Sequence, residues 1–226
     1  MLIEDWMAKN VWTVDENTSL MRATRIMKEN SIRRLPVVSH GKLIGIVTDR
    51  DVKDASPSKT ASLDIHELYY LLSEMKVNDV MTASPLTLRG KDSLELAAVI
   101  MLEDKISGLP VVDDSSHLIG LLSETDVLRA FVRSTGIKDG ARRYTFDLPD
   151  APGSVTKVTE VLRRFDGRLI SILTAFEDAP EGMKRVSVRV ATEDPAKAEE
   201  LHQELLAGFT VVDFGIDDIK NRPRKQ

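Results

Sequence analysis

Two pairs of residues set a hydroxyl and a carboxylate three positions apart where an apolar strand gives way to a helix: Thr48-x-x-Asp51 and Ser123-x-x-Asp126. At such a turn the hydroxyl and the free N–H groups of the first helical turn suit a phosphate. The carboxylate can accept hydrogen bonds from both hydroxyls of a ribose, as an acidic residue does in dinucleotide folds. The same spacing is close to a capping box, Ser or Thr at N-cap with an acid at N3, which needs no ligand. Capping and ligand binding are compatible, and both readings stay open here. A third stretch, Asp150-Ala151-Pro152-Gly153-Ser154-Val155, joins a strand to a helix. Pro152-Gly153 lets the backbone turn closely around a ligand, the helix N-terminus can receive a carboxylate, and Asp150 could pair with an ammonium group. The plain alternative makes Asp150 the N-cap of an ordinary strand–helix turn.

No catalytic set assembles beside these. His40, His66, His117 and His202 are scattered singly, without metal-ligand spacing or a fixed acid partner. There is neither a Gly-rich Walker sequence ending in Gly-Lys-Ser/Thr nor a Gly-x-Ser-x-Gly elbow. With no cysteine, disulfides, thiolate metal sites and thiol catalysis are excluded, and a reducing compartment fits. A net charge of −5 and few aromatics argue against a nucleic-acid surface. The basic tail Lys220, Arg222, Arg224, Lys225 reads as a solvated terminus, and Trp6 and Trp12 read as packing residues rather than stacking platforms. Glu4 and Asp5 near the start do not fit a signal peptide, and no apolar run reaches the ~20 residues that span a bilayer. A cytoplasmic protein, without membrane or nucleic-acid partners, is expected.

The elements that must position the two hydroxyl–carboxylate pairs are themselves duplicated. At an offset of 74, Asp5, Met7, Thr13, Ser19, Leu20, Ala23, Met27 and Leu35-Pro36-Val37-Val38 return as Asp79, Met81, Thr87, Ser93, Leu94, Ala97, Met101 and Leu109-Pro110-Val111-Val112. One added turn residue shifts the offset to 75, and Leu43-Ile44-Gly45…Asp51-Val52 recurs as Leu118-Ile119-Gly120…Asp126-Val127. Each copy reads as a short extended piece (Val11–Val14; Pro85–Leu88), a cap-like Thr18-Ser19 or Asp92-Ser93, a helix with Leu20, Ala23 and Met27 (or Leu94, Ala97 and Met101) inward, a β-hairpin, and a second helix near Asp51 or Asp126. Two units too small for good cores of their own are expected to pack together and leave a ligand cleft at their interface. Between them, Ala55–Ser62 reads as a loop and Leu63–Met75 as a connecting helix.

After about Gly140 the pattern becomes β-α-β-β-α-β: strand Arg143–Leu148, helix Ser154–Phe165, strands Arg168–Phe176 and Met183–Ala191, helix Pro195–Leu206, strand Thr210–Ile216. That is the order of the ferredoxin-like split unit. The fold class expected is α/β (α+β) in two domains: residues 1–138 (repeat one 1–55, linker and helix 56–76, repeat two 77–133) and 142–220, then a tail 221–226.

The apolar-apolar-Pro-Val-Val hairpins, with Gly45-Ile46-Val47-Thr48-Asp49-Arg50-Asp51 and Gly120-Leu121-Leu122-Ser123-Glu124-Thr125-Asp126, resemble paired cystathionine-β-synthase (CBS) domains. Asp150-Ala151-Pro152-Gly153-Ser154-Val155 resembles the first strand–helix junction of an ACT domain, with Val155 in place of the more usual leucine. A CBS pair followed by an ACT domain is similar to the acetoin-utilisation AcuB-like regulatory family. The resemblance implies a module that binds an adenosine-containing ligand (AMP, ADP, ATP or S-adenosylmethionine), with no catalytic cofactor. It places Thr18, Thr48, Asp51, Ser123 and Asp126 at the ligand and lets Ala23 or Ala97, with the Val-rich strands, wall the base. Arg33-Arg34, where the second copy has Ser107-Gly108, resembles basic positions that meet phosphates; an exposed pair favoured by a helix C-terminus is the other reading. One well-equipped pocket and one weaker pocket are therefore expected. The ACT resemblance implies an amino-acid sensor at Asp150, Pro152, Gly153, Ser154 and Val155. A homodimer acting on a protein target is expected, the alternative being an oligomerisation scaffold that binds no metabolite.

Overall fold

The computed structural model describes residues 1–55 and 65–219, the side chains of 65–69 excepted. The loop expected over 56–62 and the basic tail lie outside the described residues. The chain divides into two compact units, Met1–Leu128 and Arg129–Gln226.

In the first unit, helix α1 (Leu20–Glu29) starts at Ser19, whose Oγ accepts from Arg22 N at 3.3 Å. It turns Leu20, Ala23 and Met27 inward because positions i, i+3 and i+7 share one helical face. Strands β1 (Arg34–Ser39) and β2 (Lys42–Thr48) form an antiparallel hairpin. Its two-residue turn has His40 at φ 48° and Gly41 at φ 80°, the left-handed pair that suits the twist of the strands. Helix α2 (Asp49–Ala55) follows directly, and α3 (Ile65–Glu74) leads into the second copy. That copy repeats the plan with β3 (Thr82–Ala83), α4 (Leu94–Glu103), hairpin β4 (Gly108–Val112) and β5 (Leu118–Ser123), and α5 (Glu124–Ser134). The extended pieces expected before each helix are single parallel bridges, Val14 to Val37 and Leu88 to Val111. Pro36 and Pro110 still serve these bridges as acceptors, their carbonyls taking Val14 N and Leu88 N.

The copies exchange their leading segments. Thr82–Ala83 pairs with Ile46 and Gly45 of β2, and Ala8 pairs reciprocally with Leu121 of β5 at 3.0 Å in both directions. The backbone bonds that join the copies come in matched twos: Val77 N to Thr18 O with Ile3 N to Asp92 O, Asn78 N to Glu16 O with Glu4 N to Gly90 O, and Leu20 N to Met75 O with Leu94 N to Met1 O. Each copy thus closes the sheet edge and helix entrance of the other, so backbone groups that one copy would leave orphaned find partners. Leu20, Leu35, Leu94, Leu109 and Leu122 are 0–2% exposed. Each contributes about 1.5–3 kcal/mol of apolar burial.

The second unit contains β6 (Arg142–Pro149), α6 (Ser154–Arg164), β7 (Arg168–Ala175), β8 (Met183–Ala191), α7 (Pro195–Gly208) and β9 (Val211–Ile216). The sheet is antiparallel in the order β7-β8-β6-β9. Strict alternation sends Tyr144, Phe146 and Leu148 with Val186, Val188 and Val190 into one core with Val158, Val161, Leu162, Leu201 and Leu205 of the helices. The intervening positions carry charge: Arg185 grips Asp147 with two bonds of 2.9 and 3.1 Å, and Arg143 pairs with Asp213.

Candidate functional site

The two hydroxyl–carboxylate turns take the same form. Thr48 ends β2 just before α2, and Asp51 Oδ2 accepts from Thr48 N at 2.7 Å and from Thr48 Oγ1 at 2.8 Å. Thr48 Oγ1 in turn accepts from Asp51 N at 3.3 Å. In the second copy Asp126 Oδ2 accepts from Ser123 N at 3.0 Å and Ser123 Oγ at 2.6 Å, with Asp126 N returned to Ser123 Oγ at 3.4 Å. This is reciprocal capping, and it fixes both side chains without any ligand. Among the described residues, the hydrogen bonds that the Asp51 carboxylate accepts fall on Oδ2.

The arginine pair divides. Arg33 lines a cavity of about 210 Å³ with Thr24, Met27, Lys28, Ile32, Asp49, Val52 and Lys53, next to the helix of Asp51 but not at the capped turn itself. Arg34 crosses to the other copy: Nη2 donates to Ser107 Oγ at 2.6 Å and Nη1 to Ser107 O. A Cβ at Gly108 would lie 2.7 Å from Arg34 Cζ, so the guanidinium sits where a side chain at Gly108 would be. Ser107 O also accepts from Glu124 N at 3.2 Å, the first residue of α5. Arg34 and the start of that helix therefore share one carbonyl. Burial pushes the Arg34 guanidinium below its ordinary value, and Glu124, Asp49 and Asp126 oppose that fall while Arg33 adds to it.

Other expected residues lie deeper. Ala23 and Ala97 are 0% exposed, on the inner faces of α1 and α4, and are closed to a base in this conformation. They are core residues because the helical period that suggested a wall also turns them into the packed interior. Thr18 is buried, and its carbonyl takes Val77 N at 2.8 Å. Trp12, expected to pack, is 56% exposed.

In the second unit the N-cap of α6 is Gly153, in left-handed conformation at φ 82°, and not Asp150. Asp150 lies three residues too early, and its carboxylate is 3.5 Å from Lys184 Nζ. Pro152 and Gly153 are exposed, Ser154 is buried, and Val155 is half-buried against the core. The Ser154 hydroxyl at the helix start has no hydrogen-bond partner among the described residues. A separate cavity of about 440 Å³ lies between α6 and α7, lined by Lys157, Glu160, Arg163, Arg164, Glu204 and Phe209 among others.

The contact of Arg34 with Ser107 and Gly108 is not evident from the sequence pattern alone. The signal for that contact lies in the replacement of two arginines by a hydroxyl and a glycine at one register. Among the described residues, no group of three or more His, Cys, Asp or Glu could hold a metal ion, and no helix is long and apolar enough to cross a membrane.

Residues 3–58 and 77–133 each match the family model described as the CBS domain. The chain is 33% identical over 134 residues to a CBS domain-containing protein of Dictyostelium discoideum, covering 59% of this chain and 92% of that one. It spans 23% to 47% of three longer curated relatives. Among solved structures, the CBS-pair protein CBSX2 from Arabidopsis thaliana matches at 32% identity over 62% of this chain and 98% of that one, with a TM-score of 0.52. CBSX2 has also been solved in complex with AMP. A protein assigned to acetoin utilization (AcuB) from Vibrio cholerae matches at 26% identity over 62% of this chain and 96% of that one, with a TM-score of 0.51.

Proposed function

The chain belongs to the CBS-domain family, and on that premise we propose that it is a non-catalytic regulatory protein of the cytoplasm whose paired repeats sense an adenine nucleotide. The observation that carries this reading is the matched pair of pre-fixed turns, Thr48/Asp51 and Ser123/Asp126, each presenting a hydroxyl, a carboxylate and the first N–H groups of a helix. Such a turn offers donors for phosphate oxygens and an acceptor for ribose hydroxyls. The AMP complex of CBSX2 supports the ligand class. Because the capping bonds already exist, binding requires little reordering of these side chains, which favours affinity.

The second unit is an ACT domain of ferredoxin-like build in this proposal, sensing an amino acid at Asp150–Val155. Its element order and the unpartnered, buried Ser154 hydroxyl support that role. The likeness to the Vibrio protein supports acetoin or carbon metabolism as the regulated pathway. The protein pairs as a homodimer. Helix α4 supports this with exposed Leu96, Val99 and Leu102, where α1 has Arg22, Arg25 and Lys28 in register. A two-fold pair would cover the apolar stripe of both copies, while the basic face repels its own image.

Thermal melts with AMP, ADP, ATP and S-adenosylmethionine, followed by calorimetric titration, test the nucleotide reading. A ligand at 100 times its Kd raises stability by about 2.7 kcal/mol. No shift with any of the four leaves the scaffold reading in its place.

A further inference from the structure

A methionine stands just ahead of each pairing between the copies, at Met7 and Met81, and each one is seated on a glycine of the opposite copy. A Cβ at Gly120 would overlap Met7 Sδ and lie 2.9 Å from its Cγ; a Cβ at Gly45 would overlap Met81 Sδ and lie 3.1 Å from its Cγ. The sulfur therefore fills the volume that a side chain at the glycine would take. Backbone bonds fix each seat from both sides. Met7 N and Met81 N are held at 2.9 Å by Ile3 O and Val77 O, one turn back. The next residue enters the pairing between copies, Ala8 with Leu121 and Thr82 with Ile46. Both glycines lie three residues ahead of a capped turn, Gly45 ahead of Thr48 and Gly120 ahead of Ser123. The chain has eight methionines and no cysteine, so thioethers are its only sulfur groups. Met27 and Met101 are 4% exposed and closed to solvent, and Met1 and Met21 are exposed. Met7 and Met81 are half-buried, so a small oxidant can reach a sulfur that is already packed.

We propose that Met7 and Met81 form a paired modification site, at which hydrogen peroxide converts each thioether to a sulfoxide and so releases the exchanged segment from the opposite copy. A sulfur lone pair attacks one peroxide oxygen, the O–O bond breaks, an S–O bond forms, and the other oxygen leaves as water after proton transfer. Sulfur gives up two electrons and the peroxide takes them. The product is a polar, chiral side chain that no longer suits an apolar contact. Its added oxygen needs room in a contact already closed against the glycine, and a packed neighbourhood yields only by moving. A thiol-dependent sulfoxide reductase reverses the step, two thiols becoming a disulfide and the oxygen leaving as water. Strands β2 and β5 run from these glycines into the Thr48/Asp51 and Ser123/Asp126 turns, so release of a segment loosens the strand behind a turn.

The test treats the full chain with hydrogen peroxide, beside Met7→Leu, Met81→Leu and the double variant; leucine is close in volume and takes no oxygen. Peptide mass spectrometry reads oxygen uptake at each methionine. Hydrogen–deuterium exchange reads the two pairings through Leu121 N, held by Ala8 O at 3.0 Å, and Ser84 N, held by Ile44 O at 3.0 Å. Uptake at Met7 is expected to speed exchange at Leu121 by at least roughly tenfold, and uptake at Met81 to do so at Ser84, through local opening. Met7→Leu should abolish the first response and keep the second, and Met81→Leu the reverse. The double variant should show neither while Met1 and Met21 still take up oxygen. Sulfoxide reductases of both epimer specificities, with dithiothreitol, should restore slow exchange in oxidised wild type. Met7 and Met81 left unmodified by peroxide that fully oxidises Met1 and Met21 overturns the proposal. So does oxidation of both without faster exchange, or an equal response in the double variant. Should a leucine variant not fold, wild type still decides: across a peroxide series, exchange must follow uptake at Met7 and Met81, and following Met75 or Met183 instead overturns the proposal.

Discussion

Ser123 Oγ donates to Asp126 Oδ2 at 2.6 Å, and Thr48 repeats the bond to Asp51 at 2.8 Å in the other copy. The residues best suited to a nucleotide are thus already in use as helix caps. In the proposed function the same atoms serve binding and stability, so a mutation there is expected to change both.

Ser123→Ala and Thr48→Ala are expected to cost about 1 kcal/mol each without ligand, the usual loss for a cap. Urea denaturation measures that term. The nucleotide-induced rise in melting temperature should also shrink in both variants. A variant that lost stability but kept the full ligand shift would show the hydroxyl to be a cap alone.

Gly45 and Gly120 lie against the exchanged segments, where a Cβ would meet Met81 and Met7 side chains respectively, and Ala8 O at 3.0 Å in the second case. Gly120→Val should destabilise by about 1–3 kcal/mol through overpacking. Gly45→Val should do less, since Thr82 O stands 3.2 Å away and a methionine side chain can bend. Equal, negligible effects on the denaturation midpoint would contradict the exchanged packing.

Val99→Glu with Leu102→Glu places two charges on the apolar stripe of α4, where Leu102 is 80% exposed. Sedimentation velocity is expected to show a dimer in wild type and a monomer in the variant. The same two charges on the α1 face, at Arg25 and Lys28, should leave the dimer intact.

Burial raises the Tyr144 phenol above its ordinary pKa, against a lowering from Arg142, and Tyr144 OH lies 3.3 Å from His202 Nδ1. A phenol with a raised folded-state pKa contributes stability in full below its unfolded value near 10. That contribution disappears as pH climbs through the folded value. Stability of the second unit should therefore fall on the alkaline side of about pH 10, and less steeply in Tyr144→Phe. Denaturation midpoints across pH 8–11 (~0.5 steps, within the range where the phenol titrates) provide the comparison.

The repeat, the hairpins and the order of elements were legible because each depends on local pattern. Period 2 in Tyr144–Leu148 and period 3.6 in Leu20–Met27 say which side of an element is apolar. Helix starts were legible for the same reason, as Ser19 and Ser93 cap within their own turn. The alternative that makes Asp150 a cap does not hold, because Gly153, in a left-handed conformation, begins α6 without a side chain. For Ala23 and Ala97 the pattern marks an inward face without saying whether that face stays open, and the structure shows both fully buried.

By itself the sequence determined that this protein is a duplicated α/β unit followed by a β-α-β-β-α-β unit, with two equivalent hydroxyl–carboxylate turns. Backbone geometry repeats every few residues, so neighbours along the chain are enough to specify it. Only the tertiary structure decided that the copies exchange their leading segments and that Arg34 hydrogen-bonds Ser107 of the opposite copy. A long side chain goes where donors find acceptors and where space is left, and that space is made by Gly108, 74 residues away.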